Sequence, residues 1–260
     1  MRLQLLSDLH LESEEFDPQP APGADLLVLA GDLDSRWQAL ERFAHWPVPV
    51  LCVAGNHEFD RRELTEALPA LRQRCAGLGI TLLERDATVR TDAQGRRVRF
   101  LGTVRWCDFD LFGPSRRAAA QRAGNYFQRV MQATKGGQPF DAAAVREEAL
   151  ACRAWLADAL AEPADGRWEA TVVVTHFAPS LSSADPRYGS QNGTASFCNA
   201  DDDLITQAEL WLHGHLHCRH DYTVPRPGGG LSRVVCQARG LAAKNEPEGF
   251  DPLKLIEVFG

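Results

Sequence analysis

Five short apolar runs in this chain each lead directly into residue types that bind metal ions. LLSDLH reaches Asp8 and His10, LVLAGD reaches Asp32, LCVAGNHE reaches Asn56 and His57, VVVTH reaches His176, and LWLHGHLH reaches His215 and His217. Runs of this length, rich in Val and Leu, read as strands buried on both faces. Ligands at the carboxyl ends of strands in an open α/β sheet converge on one crevice. A single match means little, because a Gly-Asp after a strand is usually a turn and a lone His beside an apolar run is usually a hydrogen-bonded core or surface residue. Five matches in one chain do not share that explanation. Asp8 and His10 lie two apart, as do His215 and His217, so an extended backbone is expected to point both members of each pair the same way.

Strand-like runs fall at 2–7, 25–30, 48–54, 80–84, 98–103, 171–175 and 209–213, with three more near 219–224, 232–238 and 253–258. Segments of helical spacing lie between several of them. Ser35 with Gln38, and Asp60 with Glu63, have the spacing of capping boxes and predict helix starts. The second helix would carry Leu64, Leu68, Leu71 and Cys75, kink at Pro69 and stop at Gly77 and Gly79. A hairpin turn is expected at Asp92–Gly95. Residues 104–163 break the alternation, with no strand pattern and two helical stretches, near 115–133 and from about 142 to 161, the second capped by Asp141. We read one domain over 1–260 with a helical insert at about 104–163.

With 44% hydrophobic and 24% charged residues, the 260-residue chain has an ordinary globular composition. Seven cysteines without a CxxC pair match neither a disulfide framework nor a structural zinc site, and reduced thiols suit a cytoplasmic location. The balance of 28 basic against 35 acidic residues gives a net charge of −7, which disfavours dedicated nucleic-acid binding. No apolar stretch approaches the roughly 20 residues of a membrane span, so no membrane association is expected. Oligomeric state is left open.

In order and spacing, SDLH, GD, GNHE, TH and GHLH resemble the calcineurin-like metallophosphoesterase superfamily over residues 7–217. The resemblance implies an α/β fold: a four-layer α/β/β/α sandwich of two mixed sheets with two divalent metal ions at their carboxyl edge. It implies that Asp8, His10, Asp32 and His217 hold one ion, that Asp32, Asn56, His176 and His215 hold the other, and that a metal-bridging hydroxide hydrolyses a phosphoester. His57 is the motif histidine left without a metal, and by resemblance it stabilises the phosphoryl group or protonates the leaving alkoxide. Two divalent ions against the carboxylates of Asp8 and Asp32 leave about two positive charges for a hydroxide and an anionic substrate. Imidazole, carboxylate and amide donors without thiolate suit manganese, iron, zinc or cobalt, with manganese favoured in vitro. A non-catalytic scaffold with the same fold is the alternative, and the filled ligand set argues against it.

SDLHLE and GDLDSRW depart from the protein phosphatase and dinucleoside tetraphosphatase patterns, and His57 departs from the lipid A precursor pyrophosphatases. The nearest pattern is that of small bacterial-type phosphoesterases such as cyclic-nucleotide phosphodiesterases. A small phosphorylated substrate, a nucleotide among the candidates, is therefore expected, with a phosphodiester slightly preferred and a phosphomonoester of a small metabolite the alternative. From Leu111 to Phe140 the chain has Arg116, Arg117, Arg122, Arg129 and Lys135 and no acid, which reads either as a solvated face or as a lid touching phosphate. Trp106, Tyr126 and Phe127 are candidates for stacking a base or for the core of the lobe. The loop 180–199, with Tyr188, Asn192 and Asn199, is a candidate pocket wall. Glu58 would orient His57 or cap a helix near Asp60; His213 is expected to be structural, and His45 and His220 to lie on the surface.

Overall fold

A computed structural model of the protein describes residues 1–259, apart from the side chain of Tyr126. The first strands are β1 (Arg2–Leu6), β2 (Leu26–Ala30), β3 (Val50–Val53) and β4 (Ile80–Leu82), followed by β5 (Asp86–Thr91) and β6 (Arg97–Thr103). A two-residue ladder, β7 (Thr134–Lys135) and β8 (Gln138–Pro139), precedes β9 (Ala170–Thr175), β10 (Leu210–His213), β11 (Arg219–Pro225), β12 (Leu231–Gln237) and β13 (Leu255–Glu257). One sheet has the order β13-β1-β2-β3-β4 and the other β11-β12-β10-β9-β6-β5. The central pairings are parallel, while β13, β11 and β5 pair antiparallel at the edges, so both sheets are mixed.

The strand pleat explains the layers. Leu3 and Leu5, Val28, Leu51 and Val53 of the first sheet share one core with Phe100, Val172, Val174, Leu210, Leu212 and Val235 of the second. Their neighbours in sequence face outward: Leu27, Leu29 and Cys52 meet α1 (Leu64–Gly77), and Leu101, Val173, Trp211 and Val234 meet the C-terminal half of α4 (Ala142–Ala161). This is the expected α/β/β/α sandwich. Each strand is apolar on both faces because each face is covered. Fully burying one such side chain contributes about 1.5–3 kcal/mol.

Several local expectations need correction. Between β2 and β3 there is only a 3-10 helix, Ala39–Phe43, with no side-chain cap. Ser35 does not cap it; the Asp34 carboxylate instead accepts from the Arg36 and Ala39 amides, an Asx-type competition with helix formation. α1 begins after Glu63 without a side-chain cap, Asp60 bonds to His57 instead, and the helix passes through Pro69. Asp141 does cap α4, accepting from the Ala143 and Ala144 amides. The insert contains α2 (Arg117–Gly124), α3 (Tyr126–Met131) and the β7–β8 ladder that the residue pattern did not reveal. β5 also escaped the pattern, because its edge position leaves it polar and exposed.

Arg105 ties the insert to the loop after β9. Its fully buried guanidinium donates to Asp201 at 2.8 Å through both Nε and Nη2, to Asp108 at 2.9 Å, and to the carbonyls of Trp106 and Ala149. Removing one member of a buried pair strands the opposite charge. Arg105→Met is therefore expected to cost about 3–5 kcal/mol, read from the urea midpoint; a loss below 1 kcal/mol would refute this role.

Candidate metal centre

The strands end sooner than the ligand pattern suggested. β1 stops at Leu6 and β10 at His213, so the ligand candidates sit in the loops that follow. Asp8, His10, Asp32, His215 and His217 have φ of 53°, 47°, 52°, 70° and 49°, all in the left-handed region. Extended alternation therefore does not bring Asp8 beside His10 or His215 beside His217. Each loop curls instead, at an expected cost of about 1–3 kcal/mol per residue that the surrounding structure must offset.

The offsets are visible as a lattice of hydrogen bonds. The Asp8 amide donates to Gly31 O and the His10 amide to Asp32 O, so the loop after β1 runs along the loop after β2. Both Asp8 carboxylate oxygens accept from the His215 amide at 3.0 Å, and Asp32 Oδ1 accepts from the His57 amide at 2.9 Å. Glu58 was expected to orient His57 or cap a helix and does neither. Its buried carboxylate accepts from the amides of Asp32, Leu33, Asp34 and Gly55, joining the loops after β2 and β3. Asp60 Oδ2 is the group that holds His57 Nδ1, at 2.8 Å.

Side chains from all five loops meet here in two clusters. Asp8, His10 and His217 form one, with His10 Nε2 3.0 Å from His217 Nε2. Asp32, His176 and His215 form the other, with His176 Nε2 3.2 Å from Asp32 Oδ2, from Asn56 Oδ1 and from His215 Nδ1. The far ring nitrogens are held by the protein: His10 Nδ1 by Glu12, His217 Nδ1 by Glu246 at 2.6 Å, and His176 Nδ1 by Ala30 O. That arrangement fixes the ring orientations and leaves the Nε2 lone pairs turned inward. Neither Glu12 nor Glu246 belongs to a motif, and only the fold reveals them.

The donor set fits divalent ions. His215 Nε2 is buried without a hydrogen-bond partner, a cost that a cation would remove. The packing leaves no slack, since a Cβ on Gly55 would overlap Asp32 Oδ1 and one on Gly214 would stand 2.5 Å from Asp8 Oδ2. Electrostatics agree. Burial opposes charge on His176, but the Asp32 charge and hydrogen bond raise it to about 9. Burial likewise opposes protonation of His57, while the charge of Asp32 and the contact with Asp60 raise it to about 10. Burial and the nearby Asp32 push Glu58 up to about 7. Burial and the neighbouring His176 instead push His215 well down, so its ring is neutral, the form that binds a cation, while an ion reaching His176 would displace its proton.

A cavity of about 300 Å3 opens over the clusters and is bordered by Asp32, Asn56, His57, His215 and His217. Beyond the clusters its lining is mostly apolar, with Phe127, Val130 and Met131 from α3 and Ala184, Phe197 and Leu216, beside the polar Asp185, Gln191, Thr194 and Lys244. The basic stretch of the insert is not there. Arg116 donates to Asn192 Oδ1 and lies over Phe112, Arg117 pairs with Asp110, Lys135 pairs with Glu148, and exposed Arg122 and Arg129 do not line the cavity. Trp106 is buried among Phe59, Phe140 and Phe177, and Asn199 is buried between the Asp108 amide and Arg105 O, so neither reaches the cavity. Tyr188 borders it, and Tyr126 lies outside the described side chains. His45 is exposed as expected, whereas His220 is half-buried against His213.

The model of the calcineurin-like phosphoesterase family matches residues 1–219. No curated protein matches the sequence significantly. Among solved structures, the chain resembles phosphopantetheinyl hydrolase from Mycobacterium tuberculosis, with a TM-score of 0.70 and 19% identity over 98% of this chain and 95% of that one. A dimetal phosphatase from Danio rerio matches with a TM-score of 0.46 and 13% identity over 90% of this chain and 86% of that one. Among the described residues, no helix is long and apolar enough to cross a membrane.

Because Glu58 holds the loops that carry Asp32 and Asn56, Glu58→Ala is expected to weaken metal binding about 10–100-fold in a calorimetric titration, with the fold retained by circular dichroism. Unchanged affinity would show that the loops hold their shape without it.

Proposed function

The chain belongs to the calcineurin-like phosphoesterase family, a family of metal-dependent phosphoester hydrolases, and from that premise we propose that it cleaves a small phosphodiester bearing an apolar substituent. The observation behind the substrate reading is the cavity wall. Among its described lining residues Lys244 is the one lysine or arginine, while Phe127, Val130, Met131, Phe197 and Leu216 are apolar. A monoester dianion is usually gripped by several cationic side chains. A diester carries one charge, which a dinuclear centre alone neutralises, and its second substituent can lie against the apolar wall. A phosphomonoester with an apolar body is the second reading, favoured by Lys244 at the rim. The Mycobacterium tuberculosis neighbour is named for a phosphopantetheinyl substrate, but at 19% identity it supports the fold and not the substrate.

In this proposal Asp8, His10 and His217 hold one ion, Asn56, His176 and His215 hold the other, and Asp32 serves both. Bound there, two divalent ions of the manganese, iron, zinc or cobalt class would activate water and polarise the phosphoryl oxygens. The protein's own part is orientation and proton handling. Glu12, Glu246 and Ala30 O hold the imidazoles, and the apolar wall keeps bulk water from one side of the substrate. His57 Nδ1 is tied to the acceptor Asp60, which leaves Nε2 to hold a proton for the leaving alkoxide.

The test is a manganese-supplemented comparison of bis-p-nitrophenyl phosphate, p-nitrophenyl phosphate, cyclic nucleotides and a phosphopantetheinyl ester. Preference for a diester with an apolar arm is expected, and a uniform preference for monoesters would overturn the reading. His57→Ala is expected to keep its metal content and to lose about 10²–10⁴-fold in kcat on alkyl esters. Activated aryl esters, whose leaving groups need no proton, should lose much less. Equal losses on both would assign His57 to charge stabilisation instead.

A further inference from the structure

Three adjacent strands of the second sheet bring together another set of side chains of metal-binding type, which shares no residue with the two clusters of the candidate metal centre. Cys236 on β12 pairs with His213 on β10 on one side and with His220 on β11 on the other, so register alone puts the three on one face. It is the outer face, shared with Trp211 and Val234, whereas the neighbouring Leu212 and Val235 point into the core between the sheets. Over Cys236 the two imidazoles lean together, with Nε2 atoms 2.8 Å apart and ring centroids 4.8 Å apart. The thiol and the two ring nitrogens all lie within 4.8 Å of one another. In a tetrahedral zinc site with bonds of about 2.0–2.3 Å, neighbouring donors stand about 3.3–3.6 Å apart. At 2.8 Å the facing nitrogens are in hydrogen-bond contact, closer than the 3.0 and 3.2 Å approaches of His10 to His217 and of His176 to His215, so an ion would replace the shared proton and part them by about 0.5 Å.

We propose that His213, His220 and Cys236 form a third metal site, separate from the dinuclear centre, that takes a borderline-soft divalent ion such as zinc. His213 Nδ1 faces Gly214 O at 3.0 Å, which as a carbonyl can only accept; Nδ1 therefore carries the proton, leaving the Nε2 lone pair for the ion. Ser183 Oγ stands 3.2 Å from His213 Nε2 and bonds to Tyr222, marking the side on which the fourth position opens to the hydroxyl or to water. A surface cavity lined by Ser182, Cys218 and His220 gives an ion a way in. Two imidazoles and a thiolate select zinc, or cobalt as its probe, over manganese or magnesium. The thiol proton leaves to solvent as the ion binds. His213 and His220 bracket the segment 214–219 that carries His215 and His217, so an ion between them would brace both ends of that segment.

Cobalt reads this site selectively, because thiolate ligation gives an intense near-ultraviolet charge-transfer band and the dinuclear centre offers no thiolate. The full chain saturated with cobalt is expected to show the band with one ion more per chain than Cys236→Ala, which loses it. His220→Gln, a milder change on the half-buried edge, is expected to lose or strongly diminish the band with the fold intact. Asp32→Asn and Cys218→Ser are expected to retain it, which separates this site from the dinuclear centre and from the neighbouring thiol. No band in the saturated parent chain would overturn the proposal. So would a band that survives Cys236→Ala or disappears with Cys218→Ser.

Discussion

The Glu58 carboxylate is the contact on which the rest of the centre depends. Four backbone amides from two loops point at one buried carboxylate, and those loops carry Asp32, Asn56 and His57. A buried charge is expensive unless its lone pairs are filled, and here amides fill them at 2.6–3.4 Å. The loops gain a common anchor without spending a metal-facing group on it. Asp32 then has its backbone fixed by Glu58 and one carboxylate oxygen fixed by the His57 amide, while Oδ2 faces His176. The loop after β1 is laid against this frame through the Asp8 and His10 amides, and the Asp8 side chain in turn receives the His215 amide. Support passes from loop to loop across both sheets.

That order of support explains what the residues alone reveal. A strand buried on both faces must be apolar throughout, so the polar residue that ends it stands out, and the ligand types at Asp8, Asp32, Asn56, His176 and His215 are visible before any coordinates. Their convergence at the strand ends follows the pattern, but the geometry within the two close pairs does not. Extended alternation fails at Asp8 and His10 and again at His215 and His217, where left-handed φ values replace it. Such conformations are paid for by long-range hydrogen bonds, and no local pattern records those. Glu12, Glu246 and Asp60 escaped for the same reason: each acts on a histidine through a loop conformation and not through a motif spacing.

Edges and surfaces were the least legible parts of the fold. β5 is an edge strand whose exposed side chains carry no apolar signature, and β7 with β8 holds only two residues on each side. The Ser35 and Asp60 cap patterns had the right composition, yet Asp34 and His57 offered stronger partners nearby, and local sequence cannot rank such competitors. His220 was placed on the surface because it lacks an apolar context. Its partner His213 lies only seven residues earlier, but the two meet because β11 and β10 flank β12, a pairing that no local pattern records.

The candidate ligands and the cavity wall come from different parts of the molecule, which sets how far each can be read. The candidate ligands lie in the loops that directly follow central parallel strands. The cavity wall comes from α3, a short helix in the insert, and from the segment around Ala184–Phe197. Charge drew attention to the insert's arginines, but long cationic side chains can satisfy themselves with nearby acids and carbonyls, as Arg117 does with Asp110 and Arg116 with Asn192. Phe127 and Met131 are buried in the core and border the cavity, and Val130 beside them is exposed. With α3 folded against the clusters, this apolar stripe, and none of the insert's five cations, is what the insert contributes to the described cavity lining.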